Sequence, residues 1–180
     1  DACLVGSEMC IRDRLHEHQV NFVNKILNSW KDWDSSLDFL LFAKCRSGKS
    51  VMVLSAIDKL ENVKVSAVLS RFNSPKKSWI NDSESFKNFE NIVAIDTKIN
   101  GWENQYKLWS KTNKKILLVG TIQGFKKIKN LPIDLVVYDE AHVGYNASDW
   151  KRINKKLNCP VIYVSGTAYK LQDDFADSMK

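Results

Sequence analysis

The stretch LLFAKCRSGKS, residues 40–50, decides how this chain is read. An apolar run gives way to a short basic turn, and Gly48, Lys49 and Ser50 close that turn just ahead of a helix-like segment. In this layout successive backbone N–H groups and a helix N-terminus converge on an anion, so the motif predicts a phosphate-binding loop. Lys49 would add a point charge at the terminal phosphates, and the Ser50 hydroxyl would ligate Mg2+. Ala43 leads the loop, where a small residue suffices. Arg46 stands where many such loops carry a second Gly, which takes φ > 0 far more readily. Ala43, Lys44, Cys45, Arg46, Ser47, Gly48, Lys49 and Ser50 are the candidate nucleotide contacts.

A second stretch, IDLVVYDEAH at 133–142, puts Asp139 and Glu140 at the end of another apolar run. In an open α/β sheet, ligands bind at the carboxyl ends of the strands. Two adjacent carboxylates there can divide the work: Asp139 holds Mg2+, directly or through water, and Glu140 orients and deprotonates an attacking water. An isolated Asp-Glu pair reads as a solvated strand end. Following a phosphate loop in this order, it reads as the loop's partner.

The rest of the chain supplies a frame for both. Apolar, β-branched runs recur at 37–43, 63–70, 91–96, 115–120, 133–139 and 160–166. Their interiors are nearly continuous in apolar character, the mark of strands covered on both faces and hence of a parallel sheet. Helix-like segments lie between them at 49–60, 75–89, 102–111 and 148–157, and an opening helix at 17–30 precedes the first strand. Ser148 and Asp149 suit the start of the last helix. Within the second segment, 81–88 is polar enough to read as a surface excursion, and SWKDWDSS (29–36) reads as a loop. Alternation of strand and helix predicts a single α/β doubly wound domain.

Composition agrees. The 180 residues are 44% hydrophobic and 27% charged, as in a globular protein, and no apolar run is long enough for a bilayer. Residues 3–14, CLVGSEMCIRDR, resemble the translation of a transposase adapter from sequencing libraries, so 1–14 is expected to be a non-biological scar and the domain to span 15–180. That segment holds three acids against two arginines. Without it, the formal charge of +6 becomes +7. Of four cysteines only Cys45 and Cys159 then remain, at no metal spacing, which points to a reduced intracellular protein. A pI near 9.1 suits a polyanionic partner without requiring one.

With these residues in view, the chain resembles the first RecA-like domain of superfamily 2 DEAD/DEAH-box helicases and translocases, P-loop NTPases with a mainly parallel sheet flanked by helices. DEAH, Asp139 to His142, is that family's second motif, and AKCRSGKS matches its first. SGTAYK (165–170) is similar to the third, and GTIQGF (120–125) to a segment that contacts a nucleic-acid backbone. LHEHQ (15–19) is similar to an opening-helix motif whose glutamine reads adenine, with His16 where an arginine is usual. The likeness runs from Leu15 to about Lys170.

The resemblance implies ATP and Mg2+ as cofactors, adenine contact by Gln19, and catalysis by Lys49 and Glu140. It also implies that His142, Ser165, Gly166 and Thr167 couple the nucleotide state to nucleic acid, and that Thr121 and Gln123 lie near the bound strand. Ser-Gly-Thr in the third motif, and the absence of the Pro-Thr-Arg-Glu-Leu of RNA-unwinding relatives, favour DNA translocases such as restriction-enzyme motors and phage helicases. An RNA motor lobe and a non-hydrolysing nucleic-acid-binding module are the alternatives.

Such motors hydrolyse between two lobes, and nothing after SGTAYK supplies the second. Its arginine finger is worth about 10³–10⁵ in rate in related systems, so this piece is expected to turn ATP over poorly. A nuclease or modification subunit is a possible partner. The expected setting is cytoplasmic, or the host cytoplasm for a phage-encoded chain. Arg71, Lys76 and Lys77, after a strand end, are candidate phosphate contacts on nucleic acid, with Trp79 beside them to stack or, by size, to be buried. The lysines at 126–130 and 150–158 read as solvated helix faces.

Overall fold

The computed structural model describes residues 15–30, 38–44, 47–71, 74–141 and 148–166, without the side chains of 74–76, 148 and 149. The expected scar, Cys45, Arg46, His142 and Thr167 therefore lie outside the described residues, as do most of the 29–36 loop and the side chains of Ser148 and Asp149.

Six strands form one sheet: β1 (Asp38–Phe42), β2 (Val65–Ser70), β3 (Ile92–Asp96), β4 (Lys115–Thr121), β5 (Leu135–Asp139) and β6 (Val161–Ser165). Every pairing is parallel and the order is β1-β6-β5-β2-β4-β3. The helices are α1 (Glu17–Ser29), α2 (Lys49–Lys59), α3 (Ser74–Ser85), α4 (Trp102–Trp109) and α5 (Ser148–Leu157), with 3₁₀ turns at Lys87–Phe89 and Ile122–Lys127. The predicted α/β doubly wound architecture is the one observed.

Period-2 alternation divides the apolar residues between two cores. Val68, Leu117, Leu135, Val137 and Ile162 face a layer carrying Ile26 of α1, Met52 and Leu54 of α2 and Trp79 of α3. Val136, Tyr138, Val161 and Tyr163 face the other layer, with Trp102 of α4 and Trp150 and Ile153 of α5. Strands β2, β5 and β6 are buried throughout and β4 is buried beyond Lys115, while the edge strands β1 and β3 are partly exposed. That burial explains why the strand runs look continuous rather than alternating.

Tyr138, Trp150 and Tyr163 stack on one another, and Asn154 of α5 joins the two tyrosine hydroxyls at 2.7 and 2.9 Å. Among the described residues no helix is long and apolar enough to cross a membrane. One expectation fails: 81–88 is no excursion. Helix α3 continues to Ser85, and Phe89 is buried in the 3₁₀ turn beyond it.

Candidate functional site

Because the strands are parallel, their carboxyl ends share one rim. Register places Phe42 beside Ser165, Val164 beside Asp139, Asp139 beside Ser70, and Ser70 beside Thr121. The glycine turn after β1 and the acidic pair after β5 thus sit at the same rim, with only β6 between them. The Ala43 N–H donates to the Ser165 carbonyl at 3.2 Å, and Ala141 N–H donates to the Val164 carbonyl at 2.9 Å, so β6 ties both segments down.

Gly48 sits at φ 75°, ψ 38°, in the left-handed region that favours glycine, and caps α2 by accepting from Met52 N–H at 3.0 Å. A Cβ there would lie 2.5 Å from Nε2 of Gln19. Gln19 is buried, at 7% exposure. Its Nε2 donates to the Ser47 carbonyl at 3.0 Å, and its Oε1 accepts from His16 N–H at 2.8 Å. Both ends of the amide are therefore engaged within the chain, and Gln19 braces the turn in this structure.

Lys49 lies half-buried over the turn, its Nζ 3.4 and 3.5 Å from the Ala43 and Lys44 carbonyls. These contacts are long for an ammonium. Ser47 Oγ is buried and has no hydrogen-bond partner among the described residues.

Asp139 shares its face of β5 with Leu135 and Val137, the face that α2 and α3 cover. It is 7% exposed. Burial pushes its carboxyl above the usual range. The Trp79 indole, the Glu140 N–H and Lys49 pull it back, while the Glu140 charge adds to the rise. Trp79 Nε1 donates to Oδ2 at 2.7 Å, and Glu140 N–H donates to Oδ1 at 2.9 Å. Glu140 itself sits at φ 54°, an uncommon backbone state for a glutamate.

Two residues of α3 complete the site, and neither role was foreseen from sequence. Trp79, 1% exposed, is buried in the core as its size suggests and also donates its indole N–H to Asp139. Asp82, in the stretch expected to be an excursion, accepts the Ser50 hydroxyl on its Oδ2. Residues three apart on a helix share a face, so the glycine turn and the acidic strand end meet across one turn of α3. The signal available in sequence was that spacing, Trp-x-x-Asp, but only the packing of α3 names its targets.

The remaining candidates scatter along the rim. Ser165 is fully buried, and Gly166 follows it. Thr121 is buried and its hydroxyl accepts from Gly124 N–H at 3.2 Å, so it caps the following turn, while Gln123 is exposed. Arg71 and Lys77 are exposed, and the Lys76 side chain lies outside the described residues.

The oxygen donors suit a hard divalent cation. Among the described residues no three His, Cys, Asp or Glu side chains could hold a metal by themselves. Mg2+ characteristically takes only one or two carboxylates and leaves its other positions to water and phosphate oxygens. Ser50 and Asp139, beside a turn with a buried hydroxyl lacking a partner, fit that pattern.

Comparison with known proteins bears on the fold that carries these residues. The SWI2/SNF2 ATPase core of Sulfolobus solfataricus, solved in complex with double-stranded DNA, superposes with a TM-score of 0.62 at 18% identity, covering 87% of this chain and 33% of that one. The Hef helicase domain of Pyrococcus furiosus gives 0.63 at 17% identity, over 93% and 36%. The UvsW helicase of bacteriophage T4 gives 0.56 at 17%, over 89% and 57%. The chain thus spans about a third of the first two structures and just over half of the third. No curated protein sequence matches it. At these identities the superpositions establish the fold alone, a RecA-like α/β domain. Residues 12–170 match the family described as type III restriction enzyme, res subunit, and over that span the chain belongs to this family of superfamily 2 helicase domains.

Proposed function

We propose that this chain is the ATP-binding lobe of a DNA helicase or translocase, hydrolysing Mg-ATP in step with movement on nucleic acid. The observation that carries the reading is the shared rim: Gly48–Ser50 and Asp139–Glu140 flank one strand end, and Lys49 is close enough to Asp139 to lower its proton affinity.

On this reading the backbone N–H groups at the start of α2 cradle the phosphates, and Lys49 leaves its long carbonyl contacts for the terminal phosphate oxygens. Ser50 and Asp139 would hold Mg2+, which when bound neutralises charge on the phosphates. Glu140, at the strand tip, orients water and takes its proton. Gln19 keeps the turn in its αL geometry, and an adenine contact would require its amide to exchange partners. His142, Ser165, Gly166 and Thr167 carry the nucleotide state toward the nucleic-acid face, where Arg71, Lys76, Lys77, Thr121 and Gln123 meet phosphates. The DNA assignment draws on the family and on the DNA-bound SWI2/SNF2 relative. A second lobe would supply the arginine that completes hydrolysis, so the lobe by itself binds ATP and turns it over slowly.

Titration with a fluorescent ATP analogue and Mg2+ tests the reading. Lys49→Ala should weaken binding about 10–100-fold, the scale of hydrogen bonds to a charged group. Equal affinity in parent and variant would remove the ATP reading. Competition between matched DNA and RNA strands at one fixed salt concentration decides the track.

A further inference from the structure

Beyond the two motifs, α3 carries polar contacts to both of them, through Asp82 and Trp79. A serine hydroxyl has one proton to donate and two lone pairs to offer. Ser50 donates its proton to Asp82, which leaves both lone pairs able to accept a cation. A carboxylate has acceptor capacity on both oxygens. Asp139 is held on each of them, by Trp79 on Oδ2 and by the Glu140 N–H on Oδ1, which fixes its plane and leaves lone pairs to spare. The indole N–H can only donate, and at this depth it would be costly to leave unpaired, so its bond to Asp139 is persistent.

From this geometry we infer that α3 aims the oxygens that meet the divalent cation, with Asp82 a positioning residue for the Ser50 hydroxyl and Trp79 one for the Asp139 carboxylate. The inference rests on the Mg-ATP reading and extends it to two residues that no motif contains.

The test is the Mg2+ dependence of fluorescent ATP-analogue binding by the full 180-residue chain, with melting curves recorded without metal. Residues that orient metal ligands typically change metal affinity about 10–100-fold when removed. Asp82→Ala should raise the half-saturating Mg2+ by that factor and leave the affinity measured in EDTA at the parent value. Asp82→Asn, whose carbonyl still accepts the hydroxyl proton, should recover most of the loss. Trp79→Phe should raise the Mg2+ requirement too. If it does not fold, the Asp82 pair carries the test.

An Asp82→Ala variant that melts lower but keeps the parent's Mg2+ requirement makes the contact mere helix packing and overturns the inference alone. A failure of Asp82→Asn to rescue would also overturn it. A parent that binds the analogue identically with and without Mg2+ removes the metal reading of the site, and this inference with it.

Discussion

At the amino ends of the strands, Lys115 donates to the carbonyls of Ile57, Asp58 and Leu60 at 2.6, 2.8 and 2.6 Å. At the carboxyl ends, Lys49 reaches two carbonyls only at 3.4 and 3.5 Å. The contrast extends to the carboxylates. Asp134 accepts from the Lys64 and Val65 N–H groups at 2.9 and 2.8 Å and joins β5 to β2. Asp139, at the other end of the same strand, is buried with its pKa pushed up, and its neighbour Glu140 holds an αL backbone. One rim ends its helices cleanly: Lys115 caps α2, and Asn158, at φ 47°, terminates α5. The other keeps an ammonium on weak contacts and a strained glutamate. Stability is stored at one rim and spent at the other, as expected where function needs unsatisfied groups.

If the two rims have separate roles, substitutions at each should act separately. Lys115→Met leaves three carbonyls at the end of α2 without their donor. It should lower stability by about 2–3 kcal/mol in urea melts, the scale of charged hydrogen bonds, while ATP-analogue affinity stays at the parent value. Burial pulls the Lys115 ammonium below the usual lysine range against the Asp58 and Glu61 charges, so removing the charge itself recovers part of that cost. A loss of affinity equal to that of Lys49→Ala would mean that the two rims are not separable.

At the opposite rim the sign should invert. Glu140→Gly removes a side chain from an αL position, and it should raise the melting midpoint by the equivalent of about 1 kcal/mol while abolishing whatever hydrolysis the chain supports. A lower midpoint would show that Glu140 supports the fold rather than straining it.

The smallest effect is a pH dependence at the stable rim. Burial pushes the Cys159 thiol up to about 12 from an ordinary 9.0. Between those values the folded chain keeps a proton that the unfolded chain releases, so stability falls as pH rises through that window. Urea melts at pH 8 and pH 10 should show a loss of about 1 kcal/mol in the parent that Cys159→Ala lacks. Identical slopes would place Cys159 in contact with solvent.

Most of the fold was legible because burial on both faces leaves a local trace: apolar, β-branched runs of six to eight residues, separated by helix-length segments. Boundaries shifted by a residue or two, as at β2, expected from 63 and observed from Val65, because the ends of ladders depend on partners. The two motifs were legible because a phosphate loop and a strand-end acid pair are defined by neighbours in sequence. Not read from sequence were the contacts of Trp79, Asp82 and Gln19, whose partners lie 60, 32 and 28 positions away. A tryptophan looks the same in sequence whether it stacks, packs or donates, and a polar helix looks like an excursion until its partner is known.

The sequence by itself determined the parallel α/β sheet, the glycine turn and the acidic strand end, since each follows from local patterning and backbone preference. Tertiary structure alone decided that β6 separates the two motifs, that Gln19 braces the turn, and that α3 grips Ser50 and Asp139 together. Those are meetings of side chains far apart in the chain, and strand order and helix packing, which no local rule encodes, bring them within hydrogen-bond reach.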